Sequence, residues 1–220
     1  MRFRILSVLF LAFAASGMAQ PSFKGGSQAL DAFLAKNIIY PEYSSQNCIA
    51  ATIQVRFRVD EKGNVSQVGV EKGLGIDLDD EAVRVVKLTS GKWTVPPGYN
   101  PNYNVILPIR FDPDRTRCQG ATDASMTLAI AQYKAQEGMQ DAITNYYKNK
   151  YLGKADLARE AEIIAMKKQL GYDDRFIRDL LDQASQKLKQ GDTEGACHDW
   201  NFIRNIGSNK ADTFISQYCK

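Results

Sequence analysis

Two hydrophobic periods divide the chain. From residue 26 to residue 111 the apolar positions come in short runs. In 29–38, Leu30, Phe33, Leu34 and Ile38 share one side of an expected helix, with Ser27 as its cap. Tyr40-Pro41 ends it, because the residue before a proline is pushed out of the helical region. In ATIQVRFRVD (51–60), Ile53, Val55, Phe57 and Val59 alternate with Thr52, Gln54, Arg56 and Arg58, the period of a half-buried strand. Gly63 supplies the positive φ that a short hairpin turn needs. Val65, Val68 and Val70 then lose strict parity, which predicts a bulge or a longer turn. GIDLDDEAVRVVKL (75–88) reads as a helix capped by Asp77. Asp79, Asp80 and Glu81 lie at its positive end, and Leu78, Ala82, Val85 and Val86 along one face. After Trp93 and a proline-rich loop, NVILPIRF (104–111) is a third strand.

That element order limits the topology. A hairpin followed by a helical crossover makes the third strand antiparallel to the first, and the simplest sheet has the order 3-1-2. Pro108 places the third strand at an edge, where a missing donor is tolerated. Beyond Thr122 the period becomes helical, in segments broken at Gly153, Gly171, Gly191 and Gly207. The fold class expected is α+β: a small three-stranded antiparallel sheet with two helices, then an all-α helical-hairpin domain.

The N-terminus has the layout of an export signal: Arg2 and Arg4, an apolar run, and small residues ending at Ala19. Its apolar run is short of the roughly 20 residues needed to span a bilayer. The expected organisation is therefore 1–19 signal peptide, 20–117 sheet domain and 118–220 helical domain. No membrane-spanning segment is expected after cleavage, and the expected location is the periplasm or the extracellular side of the envelope. The net charge of +3 is partly the leader's. No concentrated basic surface remains, which excludes nucleic acid as a partner. The four cysteines suit an oxidising compartment and include no C-x-x-C pair. Cys48 precedes the first strand and Cys118 follows the third, neighbouring ends of an antiparallel pair, so these two are expected to bond. Cys197 and Cys219 sit at similar distances from the turn at Gly207 and form the second expected bond.

FLAKNIIYPEY (33–43), VRFRVDEKGNV (55–65), GIDLDDEAVRVVK (75–87), Trp93 with Pro96, and LPIRF (107–111) together resemble the TonB C-terminal domain, over about residues 27–113. The resemblance implies a three-stranded antiparallel sheet with two helices. It also implies capture of an extended segment of an outer-membrane TonB-dependent receptor by strand addition. The family's usual glycine before the first strand is replaced here by Cys48-Ile49-Ala50, and its compact Trp-x-Pro by Trp93-Thr94-Val95-Pro96-Pro97. A transducer of this family carries a membrane anchor and a long spacer. Their expected lack here implies binding without pulling. The segment from Leu188 to Cys219 resembles a terminal helix pair of tetratricopeptide-like envelope proteins, an interaction module.

An exposed sheet edge pairs with main chain largely regardless of side chains. The candidate binding residues are Asn104, Val105, Ile106, Leu107, Ile109 and Arg110 on the edge strand, with Tyr99 and Tyr103 in the polar aromatic loop before it. Tyr40, Pro41, Gly63 and Trp93 are expected to be structural. Asp79, Asp80 and Glu81 are expected to serve the helix start rather than a metal. His198, beside Asp199, has no nucleophile near it in sequence. No enzyme activity, cofactor or metal is expected. The alternative function is an envelope adaptor whose helical domain carries the interaction and whose sheet edge is covered.

Overall fold

The computed structural model describes residues 20–114 and 116–219; the expected signal peptide lies outside the described residues. The chain forms two compact units that meet between Thr122 and Asp123.

The first unit contains β1 (Ser22–Phe23), α1 (Gly26–Asn37), α2 (Glu42–Gln46), β2 (Ala51–Val59), β3 (Val65–Lys72), α3 (Asp77–Lys87), β4 (Trp93–Thr94) and β5 (Val105–Phe111). The main sheet has the order β3-β2-β5, both pairs antiparallel, as the element order predicted. The β2 alternation is realised in full: Ile53, Val55, Phe57 and Val59 are wholly buried. With Leu78, Ala82, Val85 and Val86 of α3, Ile109 and Phe111 of β5, and Ile49, they form the core. β3 loses register against β2 twice, and Gln67 there has φ 50°, so the broken parity of its valines marks real bulges.

Two helix starts differ from expectation. α1 is capped by Gly25 in a left-handed conformation, and Ser27 lies inside the helix. α3 is capped by Ile76, and Asp77 is its first residue. Asp77 instead accepts from the backbone N–H and hydroxyl of Ser44, which is fully buried. Asp79 accepts from the amides of Leu74 and Gly75 at 3.0 and 2.8 Å. Glu81 is buried, accepts from Arg84 and takes the Ile39 N–H at 2.7 Å, while Arg84 also donates to the Asn37 carbonyl. Asp77 and the Glu81–Arg84 pair thus staple the 37–44 segment against α3, while Asp79 closes the turn that leads into the helix. An added helix, α2, begins after Pro41, whose carbonyl accepts from Ser45.

The hairpin turn at Gly63 has φ 82°, and a Cβ there would collide with the Trp93 carbonyl. Its own carbonyl accepts from Gly91 at 2.8 Å, so the turn lies against the chain entering β4. β4 pairs with β1 in a second, two-stranded sheet. Trp93 is buried between Phe57 and Phe23, ring centroids 5.2 and 5.8 Å away, and its indole N–H donates to Thr89.

Cys48 and Cys118 are bonded, as are Cys197 and Cys219. Cys48 adopts φ 54°, a left-handed conformation that glycine takes without cost. It therefore occupies the place of the glycine that the resemblance implies, with the bond fixing it there.

The second unit contains α4 (Asp123–Tyr151), a 3-10 turn (Leu157–Arg159), α5 (Glu160–Gln169), α6 (Asp174–Lys189), α7 (Thr193–Asn205) and α8 (Asp212–Tyr218). Asp173 and Asp192 cap α6 and α7 with their carboxylates. The core gathers Ile143, Tyr147, Ile163, Ile177, Trp200, Ile203 and Ile206. Trp200 stacks on Phe214 and Tyr218, which seats α8 against α7 beside the Cys197–Cys219 bond. Lys187 neutralises the buried Asp199 at 2.7 Å.

Gly63→Ala is expected to lower stability by roughly 2–4 kcal/mol, from left-handed strain plus collision. Gly98→Ala, at φ 78° with open space around it, is expected to lose only about 1 kcal/mol. Urea unfolding of both variants checks this. Replacing Cys48 and Cys118 by serine removes a bond with sequence separation 70, a loss of about 4 kcal/mol. With glycine at position 48 instead, about 1 kcal/mol of that returns because the strain is gone. Equal melting of the two double variants would remove this account of Cys48.

Candidate protein-binding edge

β5 pairs with β2 in one unbroken register from Ala51↔Phe111 to Phe57↔Val105, with Pro108 opposite Gln54. Antiparallel pairs alternate between hydrogen-bonded and non-hydrogen-bonded positions. Proline has no N–H, so an unbroken ladder through Pro108 requires the non-hydrogen-bonded position there. Leu107 and Ile109 then bond to β2, along with Val105 and Phe111. The backbone groups of Ile106, Pro108 and Arg110 point away from the sheet. The free edge therefore offers N–H at Ile106 and Arg110 and carbonyl oxygens at all three. Among the described residues no strand pairs with that side.

The same parity sorts the side chains. Ile109 is fully buried, Val105 and Leu107 are half-buried, and all three belong to the core side. Ile106, 52 % exposed, shares the outer face with Pro108 and Arg110. Of the expected binding residues on β5, only Ile106 and Arg110 thus present both side chain and free backbone groups. A proline at Val105 or Ile109 would break the ladder to β2 instead of blocking the edge.

The outer face continues onto β2. Arg56, opposite Ile106, pairs with Glu71 at 3.4 Å, and the Arg58 guanidinium donates to Asn104 at 3.4 Å. Arg110 pairs with Asp112 at 2.7 Å. These are exposed pairs worth little individually, so the face is a screened, mixed-charge surface.

The opposite edge, β3, differs. Its two register shifts bend it away from a regular edge, and such bulges are a common protection against unwanted pairing. Of the two edges, β5 is the regular one.

Before β5, the 97–104 loop is folded by its own hydrogen bonds. Tyr99 N–H donates to Pro96, Tyr103 N–H to Asn100, and the Tyr99 hydroxyl to the Tyr103 carbonyl at 3.2 Å. Tyr99 is half-buried and Tyr103 is 46 % exposed. At the other end of β5, Tyr40 donates to the Ile49 carbonyl at 2.6 Å and sets its ring edge-on to Phe111, 5.8 Å away. Burial, then the carboxylates of Asp112 and Asp77, push its phenol up from 10.0 to about 12.

The other residues weighed for chemistry lie apart. The His198 side chain is 81 % exposed, with Nδ1 3.5 Å from Asp199. Among the described residues no group of three histidine, cysteine or carboxylate side chains is placed to hold a metal, and no helix is long and apolar enough to cross a membrane. Sequence reasoning missed Ser44, whose only signal is its place two residues beyond Glu42 in the YPEY stretch. It also missed the β1–β4 pair.

Residues 36–113 match the family model described as Gram-negative bacterial TonB protein C-terminal. The match runs from the end of α1 to just beyond β5, the span that carries the sheet and its edge, and it ends before the helical unit. It bears out the resemblance and connects the sheet unit with TonB-dependent transport and with contacts to envelope proteins. That family context is periplasmic, and the two disulfides fit an exported chain. No curated protein and no solved structure matches the chain.

The folded chain keeps the Tyr40 proton to about pH 12, while the unfolded chain releases it near 10.0. The stability so contributed is complete below pH 10 and is lost as the pH rises through 12. Tyr40→Phe is expected to cost about 1 kcal/mol at neutral pH from the lost hydrogen bond and to flatten the decline between pH 10 and 12. Thermal melts across that range measure both effects, and an unchanged alkaline slope would contradict the assignment.

Proposed function

We propose that the sheet unit is a binding module that docks an extended segment of another envelope protein as a fourth strand along β5. The docking would act in TonB-dependent transport, with an outer-membrane TonB-dependent receptor as the favoured partner. The observation that carries the reading is the outward row of backbone groups at Ile106, Pro108 and Arg110 on a regular edge strand. Strand addition gains affinity from that row and specificity from alternate side chains. The family match supports the same use of this unit. The role is that of a protein-binding module of the periplasm, not of an enzyme.

A second reading, an adaptor that works through its helical unit, draws on exposed apolar side chains there. Leu157, in the 3-10 turn before α5, and Ile164, within α5, are 66 % and 55 % exposed. In that reading the helical unit makes the contact, as a tetratricopeptide-like module would.

Immobilised protein incubated with solubilised outer membrane of the parent bacterium separates the two. Ile106→Pro with Arg110→Pro removes both outward donors while sparing the ladder to β2. Two lost hydrogen bonds at about 1 kcal/mol each are expected to reduce recovery of TonB-dependent receptors roughly 10- to 30-fold, with melting little changed. Recovery indifferent to these prolines but lost with Ile164→Asp would transfer the site to the helical unit.

A further inference from the structure

A cleft of about 600 Å³ opens at the Val105 end of β5. Its walls include Gln20, Pro97, Tyr99, Tyr103, Asn104 and Val105, and among the described residues lining it none carries a charged side chain. The volume falls within the roughly 300–1,000 Å³ of pockets that enclose small organic groups. Val105 belongs both to the cleft and to the edge strand. A segment extended along β5 and continued past Val105 therefore meets the cleft at one end.

Three observations define what fits. The lining offers aromatic faces, a proline ring and an aliphatic side chain, which gain from apolar contact. The polar side chains of its described lining are amides and phenols, and the nearby Arg58 guanidinium is turned to Asn104 at 3.4 Å, so an entering ion would lose hydration without an ion-pair partner among the lining residues. The loop is also braced before anything binds. Besides the Tyr99 hydroxyl bond to the Tyr103 carbonyl, Asn102 N–H donates to the Asn100 side chain at 3.0 Å. A preformed wall lowers the ordering cost of binding.

We propose that this cleft is a side-chain subsite that takes a neutral aromatic or large aliphatic residue of the docked segment, just beyond the stretch paired with β5. It rests on the reading of β5 as the docking edge, and it names the chemistry that selects among segments. Pro108 makes such a subsite useful. The edge is one donor short at its middle, and an anchored side chain supplies binding that the main chain there cannot.

Indole serves as a probe of the cleft that does not involve the edge. Titrated into the full-length protein at millimolar concentration, it is expected to shift the backbone amide resonances of Gly98 to Val105. Negatively charged indole-3-acetate and positively charged tryptamine are expected to bind at least about fivefold more weakly. Tyr103→Ala should weaken indole by a similar factor, and Tyr103→Phe, which keeps the ring and the Tyr99 brace, should not. Indole shifts scattered over the surface, or equal binding of the charged analogues, would overturn the subsite.

Receptor capture with Tyr103→Lys then links cleft and edge. Reduced recovery with melting unchanged supports the proposal. Full recovery overturns it even if indole binds, because the cleft would then lie outside the docked path. If indole binds but capture ignores the prolines at 106 and 110, the edge reading fails, and with it the assignment of the cleft to a paired segment.

Discussion

The sheet unit depends on one strand being wholly buried on one face while paired on both sides. β2 inserts Ile53, Val55, Phe57 and Val59 into the core, each fully buried. At about 1.5–3 kcal/mol for each such side chain this burial is a large local source of stability, as an upper estimate. A one-residue slip of β2 would turn all four toward solvent and bring Thr52, Gln54, Arg56 and Arg58 inside, so its register is strongly specified. β5 inherits that register over seven consecutive pairs. Its outward-facing backbone groups are thus fixed by side chains that never reach the edge.

The strands and longer helices were legible because they carry a period. The alternation in 51–60 and the helical spacing in 75–88 correspond to β2 and α3, and the broken parity after Val65 to the bulges at Gln67 and Glu71. Two-residue strands carry no period, so nothing in the sequence announces β1 or β4. α2, five residues after a proline, was hidden in the same way. The acidic start of α3 shows a different limit. Asp79, Asp80 and Glu81 are grouped in sequence by their common charge and position, with Asp77 read as the cap. The partners of Asp77 and Glu81, Ser44 and Ile39, lie 33 and 42 residues away. Local reading cannot see such partners, and it assigned to a helix dipole what is done by specific hydrogen bonds.

The candidate edge was legible as a strand but not as a surface. Sequence grouped Val105, Leu107 and Ile109 with Ile106 and Arg110, since strand addition can use any of them. Only the pairing of Gln54 with Pro108 divides them into residues that face β2 and residues that face outward. The proline that marked the strand as an edge also fixes which of its groups are free. The loop before it held two tyrosines of evident interest, yet the cleft they help to line depends on turns closed by Pro96 and Asn100.

The two edges of the sheet are guarded differently, and the difference bears on what each can do. β3 is bulged twice, which disrupts its whole length as a template. β5 is regular and lacks a single donor, at its centre. A strand added there forms its other bonds but loses one, so main-chain pairing alone is weaker than on an unbroken edge. A segment with suitable side chains on the outer face, beside Ile106 and Arg110, recovers the difference, and one without them does not. For a strand docked as proposed, Pro108 would shift the basis of binding from backbone, which every polypeptide shares, toward side chains, which distinguish one partner from another.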